Sequence, residues 1–221
     1  MRRFLKSVPP LALVAALVAA APAAARAAAA NGAPLDPAKN AVYQRLLGFD
    51  ADVKTYAATV HLDIALKSFP YLSGSLDGHA YYERPDKEAV VFDNVPAMAS
   101  QFRKVYPKLD PPASWPQKYD VRVLSDVEGT TTFRLLPRGE SRVSHVDVGV
   151  DDAAADIASY AWTYADGGTI AFTQSYQTIG ANRFVAKQIG HVAVTGYTAD
   201  VSSSFSDYKL NGALPSDAFG S

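Results

Sequence analysis

The stretch TYAATVHLDIALKSF, residues 55–69, alternates strictly between apolar and polar side chains. Alternation with a period of two is typical of a β-strand with one buried face. The 15 residues of this stretch would extend over roughly 50 Å, whereas an ordinary strand has about five or six residues. A packed core or a bound apolar molecule must therefore cover one long apolar face, formed by Tyr56, Ala58, Val60, Leu62, Ile64 and Leu66.

Alternating segments separated by turn residues continue along the rest of the chain. Sequences such as Arg84-Pro85-Asp86 and Asp166-Gly167-Gly168 supply the residue types that tight turns require. Sequential hairpins predict an antiparallel sheet, and about ten consecutive strands are expected to twist and curl. The predicted strands after the first cover 76–83, 88–92, 118–127, 131–137, 141–150, 157–165, 169–179, 183–189 and 193–210.

Two short amphipathic helices are predicted among these strands. Asp36 followed by Pro37 is expected to cap a helix over residues 36–48. Met98 and Phe102 are at helical spacing in the segment that Pro107 ends. Residues 107–117 contain four prolines and are expected to form an extended strap rather than a helix. Two short helices offer little apolar surface with which to cover so large a sheet.

The first 30 residues are interpreted as a cleaved secretory signal peptide. Basic residues precede the apolar run 11–21, which is shorter than the roughly 20 residues of a membrane-spanning helix. Small residues offer cleavage sites near Ala25 and Ala30. An uncleaved membrane anchor is the alternative. Residues 31–221 are predicted to form a single domain.

Composition excludes several classes of function. Without the first 30 residues the chain has 17 basic and 22 acidic side chains, and this acidic balance argues against binding nucleic acid or anionic lipid surfaces. The chain has no cysteine, so disulfides, cysteine–zinc sites and thiol nucleophiles are excluded. A soluble monomer that moves freely is expected.

Catalytic and metal-binding motifs do not emerge from the sequence. The four histidines stand singly, without the spacing of a metal site, and are expected at the surface. No GxSxG elbow occurs, and the serine-rich segment 202–207 is interpreted as a solvated strand face. No cofactor or metal is therefore expected, and the chain is predicted not to be an enzyme; a serine hydrolase built from scattered residues is the weakest alternative.

Several segments follow one another in a distinctive order. These are the N-terminal helix and the long strand, then AYYERPDK at 80–87 and TTFRLLPRGE at 131–140, and finally DYKLNGALPSDAF at 207–219. Taken in this order, they resemble the LolA/LolB-like family of lipoprotein carriers. The family arrangement differs after the Arg84-Pro85 turn, where this chain has the second helix and the proline segment. The order of the segments over about 170 residues carries the resemblance, because each motif alone is weak.

The resemblance implies an α+β protein that is mainly β. Its curved antiparallel sheet forms an incomplete barrel, and short helices act as a lid over an apolar cavity that holds acyl chains. Arg84 matches the family arginine that precedes the proline, which implies a latch to the lid helices. Five guanidinium donors in a fixed fork could serve several carbonyls of a lid.

The hypothesis from sequence is an exported carrier of lipoprotein acyl chains or another lipid. It would work in the periplasm, or outside a cell that has no outer membrane. A membrane-bound release complex and an acceptor are the possible protein partners. The alternative from a different class is an envelope sensor or regulatory module of the same fold. The aromatic hairpin at 159–176 could be core or cavity wall. The residues predicted to line the cavity are Val60, Leu62, Ile64, Leu66, Met98, Phe102, Trp162 and Phe172.

Overall fold

A computed structural model gives the structure of the chain and describes residues 32–48, 52–68, 71, 73–93, 108–127 and 129–219. The described residues form one antiparallel sheet of 11 strands and very little helix. The signal-peptide prediction, and the second predicted helix with Met98 and Phe102, lie outside the described residues. The strands are β1 (Ala33–Pro34), β2 (Thr55–Leu66), β3 (Ser73–Glu83), β4 (Lys87–Phe92), β5 (Tyr119–Val127), β6 (Thr130–Pro137), β7 (Val143–Asp151), β8 (Ile157–Tyr164), β9 (Thr169–Ile179), β10 (Asn182–Val194) and β11 (Tyr197–Leu210).

The order of the strands leaves the sheet open. It runs β1-β5-β6-β7-β8-β9-β10-β11-β2-β3-β4, with β4 at one edge and the two-residue β1 beside β5 at the other. Neighbours pair as sequential hairpins, except where β11 pairs with β2 and where β1 pairs with β5. The predicted mainly β fold with an incomplete antiparallel barrel is therefore confirmed.

Electrostatic influence between two distant strands indicates that the sheet curls. Glu88 on β4 acts electrostatically on Tyr160 on β8, although six strand-to-strand steps separate these two strands in the sheet. Both residues belong by register to the face that carries the core. We call this the inner face, and the opposite face the outer face.

Strand β2 has the alternation that the sequence predicts. It runs over Thr55–Leu66, slightly shorter than the predicted 55–69. Ala58, Val60, Leu62 and Leu66 are buried on the inner face, whereas His61 and Asp63 are exposed on the outer face. This strand lies between β11 and β3 and is paired along both sides.

The predicted start of the first helix is wrong by one turn. Helix α1 covers Ala41–Leu47, and Asn40 caps it by accepting a hydrogen bond from the Tyr43 amide at 2.8 Å. Asp36 instead closes a turn, in which its carbonyl accepts from the Lys39 amide. The Leu35 amide, just before this turn, donates to the Val121 carbonyl of β5, and the turn separates that contact from the helix.

The second half of the proline segment, residues 112–117, is helical rather than extended, which contradicts the predicted strap there, whereas residues 108–111 have no regular secondary structure. A 3₁₀ turn at Pro112–Ser114 leads into a one-turn helix, α2 (Trp115–Lys118). Pro112 and Pro116 lie in the first turns, where a missing amide proton has no effect. The packing of Trp115, which is fully buried, favours this compact form.

The last predicted strand, 193–210, is two strands. Strand β10 continues to Val194, and β11 begins at Tyr197 after a turn at Thr195 and Gly196. Gly196 has a φ of +77°, a conformation that glycine adopts without strain. The sequence analysis did not predict this turn, because apolar residues continue on both sides of it.

The main core lies on the inner face. Tyr43 and Leu46 of α1, with Trp115, pack onto strand residues such as Phe133 and Leu135. A second, smaller cluster around Val60 lies toward β3 and β4. Among the described residues, no helix is both long and apolar enough to cross a membrane.

Candidate functional site

The apolar stripe of β2 occupies the middle of the inner face. Val60, Leu62 and Leu66 are buried, and Ile64 is half-buried. Ile64 is paired with Val201 on β11 and with Gly74 on β3, so the stripe continues laterally into neighbouring strands. These four residues lie together on one surface, and no ligand is needed to explain their packing.

The aromatic residues of β8 and β9 extend this surface. Trp162 and Phe172 are buried on the inner face, with ring centroids 6.3 Å apart. Tyr160 lies 5.1 Å from Trp162 and 5.4 Å from Phe172, centroid to centroid. The Phe172 ring lies against Gly190, where an added Cβ would approach it to 2.2 Å. Glycine at position 190 therefore lets the aromatic ring lie flat on the sheet.

A band of uncharged polar side chains crosses the otherwise apolar inner face. We call Tyr160, Gln174, Gln188 and Ser203 the polar row. Gln188 is in register with Gln174 on one side and with Ser203 on the other, and its amide donates a hydrogen bond to the Tyr160 hydroxyl. Sequence reasoning missed this row because its members become neighbours only through the strand register.

The surroundings of the polar row keep Tyr160 neutral. Burial, together with the negative charge of Glu88, raises the pKa of the Tyr160 hydroxyl. Glu88 itself pairs with Lys108 at 3.0 Å. Burial likewise raises the pKa of Tyr176, whose hydroxyl donates to the Ile157 carbonyl at 3.0 Å. At neutral pH these phenols can act only as uncharged hydrogen-bonding groups.

Arg84 is in the β3–β4 turn, as predicted. Its Nε donates to the Val53 carbonyl at 2.9 Å, and its backbone amide donates to the Lys54 carbonyl at 2.8 Å. The peptide bond between Arg84 and Pro85 is cis. Arg84 therefore ties the turn to the segment that joins α1 to β2.

A groove of about 840 Å³ crosses the sheet from β6 to β3. Most of the residues that line it, such as Gly149, Ser159 and Ser202, belong to the outer face by register. Of the predicted lining residues, Ile64 and Phe172 border this groove. Its floor consists of small side chains, and its carboxylates are already paired, as Asp147 is with Arg134 at 2.7 Å. The groove is thus distinct from the apolar surface of the inner face.

The histidines pair with aspartates rather than with each other. His61 contacts Asp77 at 2.6 Å and Asp63 at 3.3 Å, and His191 contacts Asp200 at 2.8 Å. Within the part of the chain that the structure describes, no group of three potential ligands could hold a metal ion. Local ion pairing with aspartates accounts for the positions of these two histidines.

Comparison with known proteins shows the fold. No family model and no curated protein matches the chain. Over 80% of its length it is similar to a DUF1329 family protein from Desulfovibrio piger, with 12% identity, a TM-score of 0.62 and 94% of that chain covered. Over 81% it is similar to a putative outer membrane lipoprotein-sorting protein domain from Vibrio parahaemolyticus, with 14% identity, a TM-score of 0.59 and 94% of that domain covered.

A third similar structure is a LolA superfamily protein from Nitrosomonas europaea, with 11% identity, a TM-score of 0.49, and coverage of 81% of this chain and 97% of that one. The first two likenesses, together with the strand order, establish the shared architecture. The chain therefore has the fold of these two structures, with an open antiparallel sheet of the kind that the sequence resemblance implies.

Proposed function

We propose that this chain is an exported carrier that shields acyl chains of lipoproteins, or of another lipid, against the inner face of its sheet. The observation that carries the proposal is the apolar surface of Leu62, Ile64, Trp162 and Phe172, with the smaller cluster of Val60 beside it, inside an open, curled sheet. The fold shared with a lipoprotein-sorting domain supports it. Binding and release, without covalent chemistry, is the proposed mode of action.

Loading requires the protein to open. Most of the proposed lining residues are buried in the free chain, so cargo must displace segments that cover them. Each buried methylene group contributes about 0.8 kcal/mol, so two or three long acyl chains supply more than about 10 kcal/mol before entropic costs. Release then needs a membrane-bound complex, an acceptor, or closure of the protein.

The proposed latch is Arg84. Its bonds to Val53 and Lys54 hold the β3–β4 turn to the chain just beyond α1. Met98 and Phe102 are proposed to complete the lining. Action in the periplasm as a monomer, after removal of residues 1–30, belongs to the same proposal.

Native mass spectrometry of protein purified without detergent tests the carrier function. We expect co-purified lipid, or uptake of a fluorescent fatty-acid probe after delipidation. Ile64→Ser should weaken probe binding, because Ile64 faces inward, whereas its neighbour Ala65→Ser should not, because Ala65 faces outward. A protein that carries no lipid and excludes acyl probes would contradict the proposal.

A further inference from the structure

The polar row separates two apolar regions of the inner face. Phe172 and Val201 belong to the large cluster on one side of the row, and Val60 and Phe205 to the small cluster on the other. In register, Ser203 lies between Gln188 on β10 and Leu62 on β2. A purely hydrocarbon ligand would leave this row facing an apolar molecule, and burying polar groups without partners is unfavourable.

Members of the row have hydrogen-bonding capacity that no described residue uses. Gln188 donates to Tyr160, but its carbonyl oxygen accepts no bond from any described residue. The Tyr176 hydroxyl shares its one hydrogen between the Ile157 carbonyl at 3.0 Å and the Gln174 side-chain oxygen at 3.1 Å. The Gln174 amide nitrogen donates to no described residue. The Ser203 hydroxyl has no hydrogen-bond partner within the described ranges either. The row thus presents an amide donor, an amide acceptor and a hydroxyl.

The three unused groups remain within reach of a ligand. Ser203 is 7% exposed, and Gln174 and Gln188 are half-buried. None of their unused atoms is fully enclosed by the protein. Buried polar groups are nearly always hydrogen-bonded to protein, to water or to a ligand, so this position suits a ligand that brings its own donor and acceptor.

The row carries no charge. The Glu88 carboxylate, which acts on Tyr160, is paired with Lys108, and Tyr160 stays protonated. A charged head group placed here would lose its hydration without gaining a counter-charge. Ester, amide and hydroxyl groups match the donors and acceptors without that cost.

The geometry points to a neutral amphipathic lipid as the ligand: its ester, amide or hydroxyl group bonds to Gln174, Gln188 and Ser203, and its hydrocarbon chain lies over Phe172 or Leu62. This assignment rests on the proposed carrier function and adds the chemistry of the head group. The polar row then distinguishes among lipids whose chains are identical.

The test uses three amphiphiles with the same 16-carbon chain, all below their micelle concentrations. These are monopalmitin, palmitate and hexadecyltrimethylammonium, which carry neutral, negative and positive head groups. Displacement of a bound fluorescent probe from the delipidated full chain gives the affinities. We expect monopalmitin to bind about tenfold more tightly than either charged amphiphile.

Variants of the polar row test whether its side chains cause the preference for monopalmitin. Gln188→Leu and Ser203→Ala should each weaken monopalmitin binding about five- to tenfold, and change palmitate binding less than about twofold. Gln117→Leu is the matched control, because Gln117 is an exposed residue of α2 and should leave both affinities unchanged. Thermal unfolding of each variant checks that it folds. If Gln188→Leu does not fold, Ser203→Ala still tests the inference, because it removes only a hydroxyl group.

The outcomes separate this inference from the carrier function. If none of the three amphiphiles binds, the carrier proposal fails. If all bind equally, or if the variants keep the wild-type preference for monopalmitin, the chain carries acyl groups but the assignment of the polar row is overturned.

Discussion

Gly190 shows how a single residue shapes the inner face. A Cβ built at this position would lie 2.2 Å from the Phe172 ring, so any side chain must push the ring off the sheet. Gly74 lies in the same lateral row of the inner face, through Val201 and Ile64, yet a Cβ added there would meet nothing within 4 Å.

Gly190→Ala is expected to destabilise the fold by about 1–3 kcal/mol, because overpacking displaces Phe172. Gly74→Ala should change the free energy of unfolding by less than about 0.5 kcal/mol. Denaturant unfolding measures both. Adding Phe172→Leu to Gly190→Ala should recover part of the loss; equal effects of the two glycine variants would contradict this explanation.

The pKa values of two histidines are expected to be shifted in opposite directions. A hydrogen bond to Asp77, with Asp63 also close, raises the pKa of His61 above the ordinary value of about 6.5. Burial and the nearby Arg134 lower the pKa of His145. Near pH 6.5, His61 should therefore be mostly charged and His145 mostly neutral.

The sign of the stability effect differs accordingly. The contribution of His61 is fully present below about pH 6.5 and is lost as pH rises through its folded-state pKa. His145 disfavours the folded state as pH falls from about 6.5 toward its folded-state pKa. NMR titration of the imidazole signals tests both shifts, and Asp77→Asn should lower the pKa of His61 alone. Coincident titration near 6.5 would contradict the assignment.

At the scale of elements, α1 and the proline segment form one packed unit. The Tyr43 hydroxyl donates to the Pro112 carbonyl at 2.7 Å, and the Trp115 indole donates to the Asp110 carbonyl at 2.7 Å. The Tyr43 ring centroid lies 5.9 Å from those of both Trp115 and Phe133. Two short helices thereby attach to β6 through a cluster of aromatic rings.

Tyr43→Phe should cost about 1 kcal/mol of folding free energy, because it removes one hydrogen bond. Tyr43→Ala should cost about 3–5 kcal/mol, because it also leaves a cavity among the rings. Denaturant unfolding gives both values, and Tyr71→Phe at a mostly exposed side chain is the control. Equal losses for the two Tyr43 variants would show that the ring packing contributes nothing.

Elements with a regular pattern were predictable, and those decided by tertiary contacts were not. The alternation of β2 identified its inner face correctly, residue by residue. The prediction of the helix start was wrong because a turn at Asp36 follows the contact of Leu35 with β5, a strand far away in the sequence. The prediction for the proline segment was wrong because the burial of Trp115 outweighs a local preference for extended backbone. The polar row could not be found because a one-residue change of register would disperse it.

At the scale of the whole molecule, the proposed latch at Arg84 should control how readily the protein opens. Arg84→Leu removes the side-chain bond to Val53 and should favour an open state. We expect at least about twofold more binding of a hydrophobic dye and faster loading of an acyl probe, since a loss of about 0.5–1.5 kcal/mol shifts an equilibrium by about two- to tenfold.

Arg138→Leu is the matched control for the latch. Arg138 also lies in a turn, and its Nε donates to the Tyr119 carbonyl at 3.0 Å, but this contact joins β5 to the β6–β7 turn. Dye binding and loading should stay at the wild-type level in this variant. If Arg84→Leu also leaves both unchanged, Arg84 does not act as a latch.

The pairing of β11 with β2 has a consequence for biogenesis. Strand β2 begins at Thr55 and pairs locally with β3, but its other partner covers Tyr197–Leu210, so about 140 residues must emerge before both sides of β2 can be paired. Distant pairing of this kind slows folding. A chain synthesised from its N-terminus would thus form local hairpins early and complete its sheet only after nearly all of it had emerged.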